Sequence, residues 1–269
     1  MPLTIQAVLL GVVQGLTEFL PVSSSAHLIL ARAFFGFDAD KFGLAFDVFC
    51  HVGTLVAVLI YFRREVAGMI AALPHLFQPD RGPNARLIWL IVVGTIPAVI
   101  AGLLFKKPIE ASMRTPVVAA VALAIGGMFM FAAERIGAKT RSEESLTLME
   151  AFWIGCAQAA ALIPGVSRSG ATLTVALLLG LRRPGAARFI FLLAIPAILG
   201  AAGSEGVKVL KEGVAGEMAA LYAIGVASSA IVGYAAVKYF IRYLGDHSLD
   251  AFAWYRLALA ATVVVWLIR

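Results

Sequence analysis

The chain has 269 residues, of which 61% are hydrophobic and 14% charged, with a mean hydropathy of +0.91. Soluble domains average roughly 45–50% apolar and about 25% charged residues, so this composition excludes a soluble enzyme, a disordered protein and a nucleic-acid binder. The net charge of +6 therefore reads as membrane topology rather than as a footprint for DNA.

The apolar runs separate in chain order. Residues 4–20 are broken by Leu20-Pro21-Val22-Ser23-Ser24-Ser25, with a short return to about Phe35. Runs 44–62, 86–105 and 116–133 follow, bounded by Arg63-Arg64, Lys106-Lys107-Pro108 and Glu134-Arg135. Residues 148–163 repeat the opening arrangement, broken at Ile163-Pro164-Gly165-Val166-Ser167-Arg168-Ser169-Gly170, with a return to Leu181. Full-length runs at 186–204, 218–240 and 250–268 complete the chain, and the loops 74–86 and 137–147 read as polar and structureless. Arg32 is the first lysine or arginine. A cleavable leader's positive start is therefore missing, and the first run is expected to stay in the mature chain. Cys50 and Cys156 lack CxxC spacing and read as small core hydrophobes.

Two halves of the chain match. At a shift of 144 residues Gly11 falls on Gly155, Gln14 on Gln158, and Val22, Ser23 and Ser25 on Val166, Ser167 and Ser169. At a shift of 131, Gly94 and Gly102 match Gly225 and Gly233. One membrane domain over 1–269 is expected, with one repeat over about 1–137 and the other over about 148–269. Each unit holds one broken segment and three full runs. The broken segments read as two tight spans each or as re-entrant helix–turn–helix pairs. Their arms are short against the roughly 20 residues of a span, which favours the re-entrant form. The fold class is then an all-α polytopic membrane protein, with six transmembrane helices and two re-entrant pairs. Three crossings per unit make the repeat inverted in topology, an arrangement that gathers broken helices near the midplane. Twelve basic loop residues, among them Arg63, Arg64, Arg81, Arg182 and Arg183, fall on one face and eight on the other; the richer face is expected in the cytoplasm, with both termini outside.

Glu18 is the acid deepest in an apolar stretch, where a carboxylate costs at least roughly 2.5–3.5 kcal/mol. Gln14 shares its helix face, and Ser23, Ser24, Ser25 and His27 follow within nine residues. Capping explains one or two of these serines, but not the adjacent acid and imidazole. The second break adds Ser167, Arg168, Ser169 and Thr172. The Arg168 fork suits phosphate oxygens, and the same charge could pair with Glu18 to hold the repeats together. His51, near Asp47 and Thr54, could line the same cavity, whereas His75 and His247 lie in loops. An acid, a hydroxyl, an imidazole, an arginine and helix N-termini make an inventory for an anionic ligand and for phosphoryl transfer.

The two motifs, Gln14-Gly-Leu-Thr-Glu18-Phe-Leu-Pro-Val-Ser-Ser-Ser-Ala-His27 and Pro164-Gly-Val-Ser-Arg-Ser-Gly-Ala-Thr172, resemble those of the undecaprenyl-pyrophosphate phosphatase family, also called the bacitracin-resistance family. Gly94-Thr-Ile-Pro-Ala98 and Phe191-Leu-Leu-Ala-Ile-Pro196 extend the resemblance over nearly the whole chain. It implies a multi-pass hydrolase of the bacterial inner membrane, with its cavity opening to the periplasm. Such an enzyme converts undecaprenyl pyrophosphate to undecaprenyl phosphate, recycles the lipid carrier of peptidoglycan synthesis and requires a divalent cation. Ser24 is the first candidate nucleophile, with His27 the alternative nucleophile or acid–base group. Glu18 activates the nucleophile or, with Gln14, holds Mg²⁺ or Ca²⁺, hard cations that a carboxylate and hydroxyls suit. Arg168 clamps the phosphates, helped by Ser23, Ser25, Ser167, Ser169 and Thr172. Gln14 departs from the glutamate of many family members, which leaves Glu18 as the main carboxylate. The partners are then a prenyl pyrophosphate and membrane lipid, with no nucleic acid; a homodimer stays open. Inverted repeats with broken helices are also transporter architecture, so the alternative is a flippase or secondary transporter of an anionic lipid.

Overall fold

A computed structural model describes residues 1–38, 41–78, 82–212 and 216–269; Arg81, counted above among the basic loop residues, lies outside them. Eleven α-helices run through the described residues: α1 (Leu3–Phe19), α2 (Ser24–Phe35), α3 (Leu44–Tyr61), α4 (Arg63–Ala72), α5 (Pro83–Ser112), α6 (Pro116–Ile136), α7 (Leu148–Ala160), α8 (Arg168–Leu178), α9 (Arg183–Glu212), α10 (Gly216–Asp246) and α11 (Asp250–Leu267). Six of them, α3, α5, α6, α9, α10 and α11, are long and apolar enough to cross a membrane, in agreement with the six full runs of the sequence. Their outer faces carry large apolar side chains such as Leu103, Ile231 and Phe129, which are 82%, 73% and 60% exposed. Water would penalise such a surface, but a lipid tail does not.

The elements differ from the sequence reading in three stretches. Beyond run 44–62 the chain continues as helix α4, and the expected loop 74–86 is shortened at both ends, by a 3₁₀ turn at Leu73–His75 and by α5 from Pro83. The loop 137–147 is not structureless either, since it holds a 3₁₀ turn at Glu143–Ser145 and an isolated bridge from Arg141 to Leu181. Run 86–105 is the middle of a 30-residue helix that passes through Lys106, Lys107 and Pro108. Hydropathy reports the lipid-facing length, whereas the helix ends where its backbone bonds end. An internal proline removes one of those bonds, which neighbouring helices make tolerable.

Packing pairs α10 with α1 and α3, α5 with α7, α6 with α11, and α3 with α9. Small residues let the backbones approach. A side chain on Gly155 would overlap the Gly94 carbonyl, and one on Gly11 would overlap Ser228 and crowd the Gly225 carbonyl. The largest apolar cluster includes Phe19, Phe62, Phe191 and Phe240, with the Phe19 ring edge-on to Phe191 at 5.3 Å between centroids. Phe19 follows Glu18 directly, so this cluster anchors the end of the helix that carries the carboxylate.

Candidate active site

Both breaks are built the same way. α1 stops at Phe19 because Leu20 precedes Pro21 and is extended (φ −69°, ψ 142°), as the residue before proline prefers. The chain re-enters a helix through Ser23, whose φ of 73° is unusual for a residue with a side chain and whose hydroxyl accepts from Ala26 N–H at 3.4 Å. In the second break Gly165 (φ 97°) and Ser167 (φ 70°) make the turn, and the Ser167 hydroxyl accepts from Gly170 N–H at 3.1 Å. Ser23 and Ser25 share a hydroxyl contact of 3.2 Å, and Ser167 and Ser169 one of 3.3 Å. These paired serines shape the turns as much as they could serve a ligand.

The two breaks meet. The Ser169 hydroxyl donates to Leu20 O at 3.0 Å, Gly165 N–H donates to Ser25 Oγ at 3.4 Å, and Arg168 Nη2 donates to Glu18 Oε1. Glu18 is 6% exposed and is the hub of the site. Its Oε2 accepts from Gln14 Nε2 at 2.8 Å and from Ser24 Oγ at 2.7 Å. His51 Nε2 lies 3.3 Å from that oxygen. The expected pairing of Glu18 with Arg168 across the breaks is therefore present, and Ser24 stands where the carboxylate can take its proton.

Other sequence candidates sit apart from this hub. His27 turns away: its Nδ1 lies 2.7 Å from Ser23 O and its Nε2 lies 2.7 Å from Tyr255 Oη, and the two rings stack. Both imidazole nitrogens are therefore engaged elsewhere. Thr172 is buried, and its hydroxyl donates to Arg168 O at 2.6 Å; it braces the arginine's helix. Cys50 is buried in an apolar cluster with Phe42 and Phe46.

Two groups that the sequence reading underweights or omits are prominent here. His51 is delivered by α3, whose first turn is fixed by Asp47. That carboxylate accepts from Arg32 at 2.7 and 2.9 Å and from Arg114 at 2.7 Å. Arg256, fully buried on α11, is absent from the sequence candidates. It donates to Pro21 O at 3.2 Å in the first break, and to Gly165 O at 3.0 Å and Val166 O at 3.1 Å in the second. Ala122 O and Leu123 O of α6 accept from it as well. A signal was available: Arg256 is the one basic residue inside the run 250–268, and an ionisable group at that depth marks a functional region by default.

The residues present do not fit a resident divalent cation at Glu18. Hard cations take six or more oxygen ligands in an open shell around the ion. Among the described residues no group of three or more His, Cys, Asp or Glu gathers. Glu18 Oε2 already faces three nitrogen or hydroxyl groups, and Oε1 faces a guanidinium. A cation there would have to displace these groups and sit beside the charge of Arg168.

What the arrangement offers is a hydroxyl on a carboxylate, a guanidinium fork, and the starts of α2 and α8 at one place. Helix starts and an arginine favour an anion with several oxygens. Residues 7–262 match the family described as bacitracin resistance protein BacA. The chain is 49% identical to an undecaprenyl-diphosphatase of Rubrobacter xylanophilus, over 98% of both chains. It is 48% identical to undecaprenyl-diphosphatase 2 of Stutzerimonas stutzeri, over 97% of both chains. An undecaprenyl-diphosphatase of Trichlorobacter lovleyi is 43% identical, over 98% of this chain and 97% of its own.

Proposed function

Because the chain belongs to the bacitracin resistance protein BacA family, we propose that it hydrolyses undecaprenyl pyrophosphate to undecaprenyl phosphate and inorganic phosphate, so recycling the lipid carrier of cell-wall synthesis. The observation that carries this reading is the 2.7 Å hydrogen bond from Ser24 Oγ to Glu18 Oε2, on a carboxylate that Arg168 also holds. Glu18 takes the Ser24 proton as Oγ attacks the terminal phosphorus, and lipid phosphate leaves. Water then releases phosphate from the serine. Arg168 and the backbone N–H groups at the starts of α2 and α8 hold the phosphate oxygens as charge redistributes. His27, held by Ser23 and Tyr255, positions the α2 turn. The divalent cation that the resemblance implies enters on this reading as the cation complex of the pyrophosphate, part of the substrate.

The two broken segments form re-entrant pairs of an inverted repeat. Short helices support this: α2 has 12 residues and α8 has 11, about 18 Å and 16 Å at 1.5 Å per residue, against a hydrocarbon core of about 30 Å. Equivalent contacts support the duplication. The Gly11–Gly225 approach of α1 to α10 corresponds, at the sequence shifts above, to the Gly155–Gly94 approach of α7 to α5. The basic bias of the loops supports a cytoplasmic side for Arg63-Arg64 and Arg182-Arg183 in a bacterial inner membrane, and on this reading the site opens to the periplasm, where spent carrier is released.

Purified protein in detergent should release phosphate from undecaprenyl pyrophosphate, with EDTA abolishing release. A chain that moves the lipid between leaflets without releasing phosphate would instead be a flippase, and would refute the hydrolytic reading.

A further inference from the structure

We propose that His51 and Glu18 form one proton-handling pair, so that the group serving Ser24 is this pair rather than Glu18 alone. The inference rests on the hydrolytic reading above and deepens it. His51 Nδ1 lies 2.7 Å from Asp47 O, an acceptor, so this nitrogen carries its hydrogen. His51 Nε2 lies 3.3 Å from Glu18 Oε2. A carboxylate oxygen and a bare imidazole nitrogen would repel each other at this distance, so a proton lies between them.

The neighbours make this proton special. Gln14, on the same carboxylate oxygen, cannot titrate, and Arg168 holds Oε1. On its own helix, His51 is one turn from Asp47, whose carboxylate is occupied by Arg32 and Arg114. From α10 comes a neutral group, the Ser229 hydroxyl on Cys50 O. α9 meets α3 at Leu55 through Ala194 and Ile198, both apolar. Among the described residues, the charged groups facing His51 from other helices are thus Glu18 and Arg168. The imidazole side chain is 28% exposed.

In the reaction, Ser24 Oγ bonds to the terminal phosphorus and the bond from that phosphorus to the bridging oxygen breaks. The Ser24 proton passes to Glu18 Oε2, so the pair briefly holds two protons, and the surplus proton leaves on the departing lipid phosphate. Water next attacks the phosphoserine, one of its protons enters the pair, and Ser24 Oγ recovers a hydrogen as inorganic phosphate departs. His51 acts through Glu18 and is a positioning and relay residue.

The test is a pH profile of kcat/KM for phosphate release from undecaprenyl pyrophosphate by the full chain. The wild-type profile should fall on the alkaline side as the pair loses its shared proton. His51→Gln keeps an N–H toward Glu18 but cannot release it. Its kcat should fall by about a hundredfold with little change in KM, and the alkaline limb should vanish. His51→Gly should regain activity with added imidazole. A wild-type profile without an alkaline limb overturns the proposal whether or not any variant folds. So does a limb that survives unchanged in His51→Gln. Absence of any phosphate release by the wild-type chain overturns the proposed function and this inference with it, whereas an active wild type with an indifferent His51 overturns the inference alone.

Discussion

Replacing Glu18 with glutamine exchanges one carboxylate oxygen for an NH₂ group and removes the charge at the centre of the site. The amide oxygen can still accept from Ser24, Gln14 and His51 where Oε2 does now. The NH₂ then faces the Arg168 guanidinium, donor against donor. Two separate losses follow. Ser24 loses its proton acceptor, which should lower turnover at least about a hundredfold, or about 2.7 kcal/mol of barrier. Arg168 loses its counter-charge, and breaking one side of a buried pair costs about 3–5 kcal/mol. Arg168 is 19% exposed and retains a long contact to Ala194 O, so the stability loss should sit near the lower end, about 3 kcal/mol. The double variant Glu18→Gln/Arg168→Met removes both charges and should recover much of that stability while staying inactive. Phosphate release and unfolding in detergent read the two effects independently. Near-normal turnover of Glu18→Gln would remove the carboxylate from the chemistry. A double variant no more stable than the single one would mean that the Glu18–Arg168 pair does not tie the breaks together.

Ser24→Ala should abolish turnover, whereas His27→Ala, which breaks contacts to Ser23 and Tyr255, should leave measurable activity; the reverse ranking in a phosphate-release assay would make His27 the nucleophile. Arg256→Met takes the side-chain donor from three carbonyls of the two breaks, Pro21, Gly165 and Val166, and from its links to α6. It should destabilise the protein by about 3 kcal/mol or more and lower turnover with it, and wild-type unfolding and turnover would show that Arg256 does not hold the breaks. If the cation enters with the substrate, Mg²⁺ or Ca²⁺ alone should not raise the unfolding temperature of the free protein, while EDTA still stops turnover. A clear rise with cation alone would mean a resident site.

The six long helices and the two breaks were legible because lipid imposes a coarse rule: length and hydropathy mark a span, and Leu20-Pro21 or Ile163-Pro164 followed by serines marks where a helix must stop. Glu18 and Arg168 stood out for the same reason, as charges in apolar runs. His51 was less visible, since its place at Glu18 depends on how α3 is aimed. That aim is set by Arg32 and Arg114 gripping Asp47, contacts that span 15 and 67 residues. Arg256 was hidden inside a run treated as uniformly apolar, and its partners are backbone carbonyls, which carry no side-chain signature. The functional reading of the serines was sharper than their geometry warrants: Ser23 and Ser167 cap helices at positive φ, and Ser169 reaches across to Leu20 O. The same residues that could touch a phosphate first have to build the turn that holds it.

The central claim is that Ser24 takes the phosphoryl group on a carboxylate shared between the two breaks. Rapid acid quenching of the enzyme during turnover of undecaprenyl pyrophosphate labelled in its terminal phosphate measures this directly. The account expects label bound covalently to the peptide carrying Ser24, absent in Ser24→Ala and not formed in Glu18→Gln. Label on His27, or full turnover with no covalent label at any quench time, would contradict it.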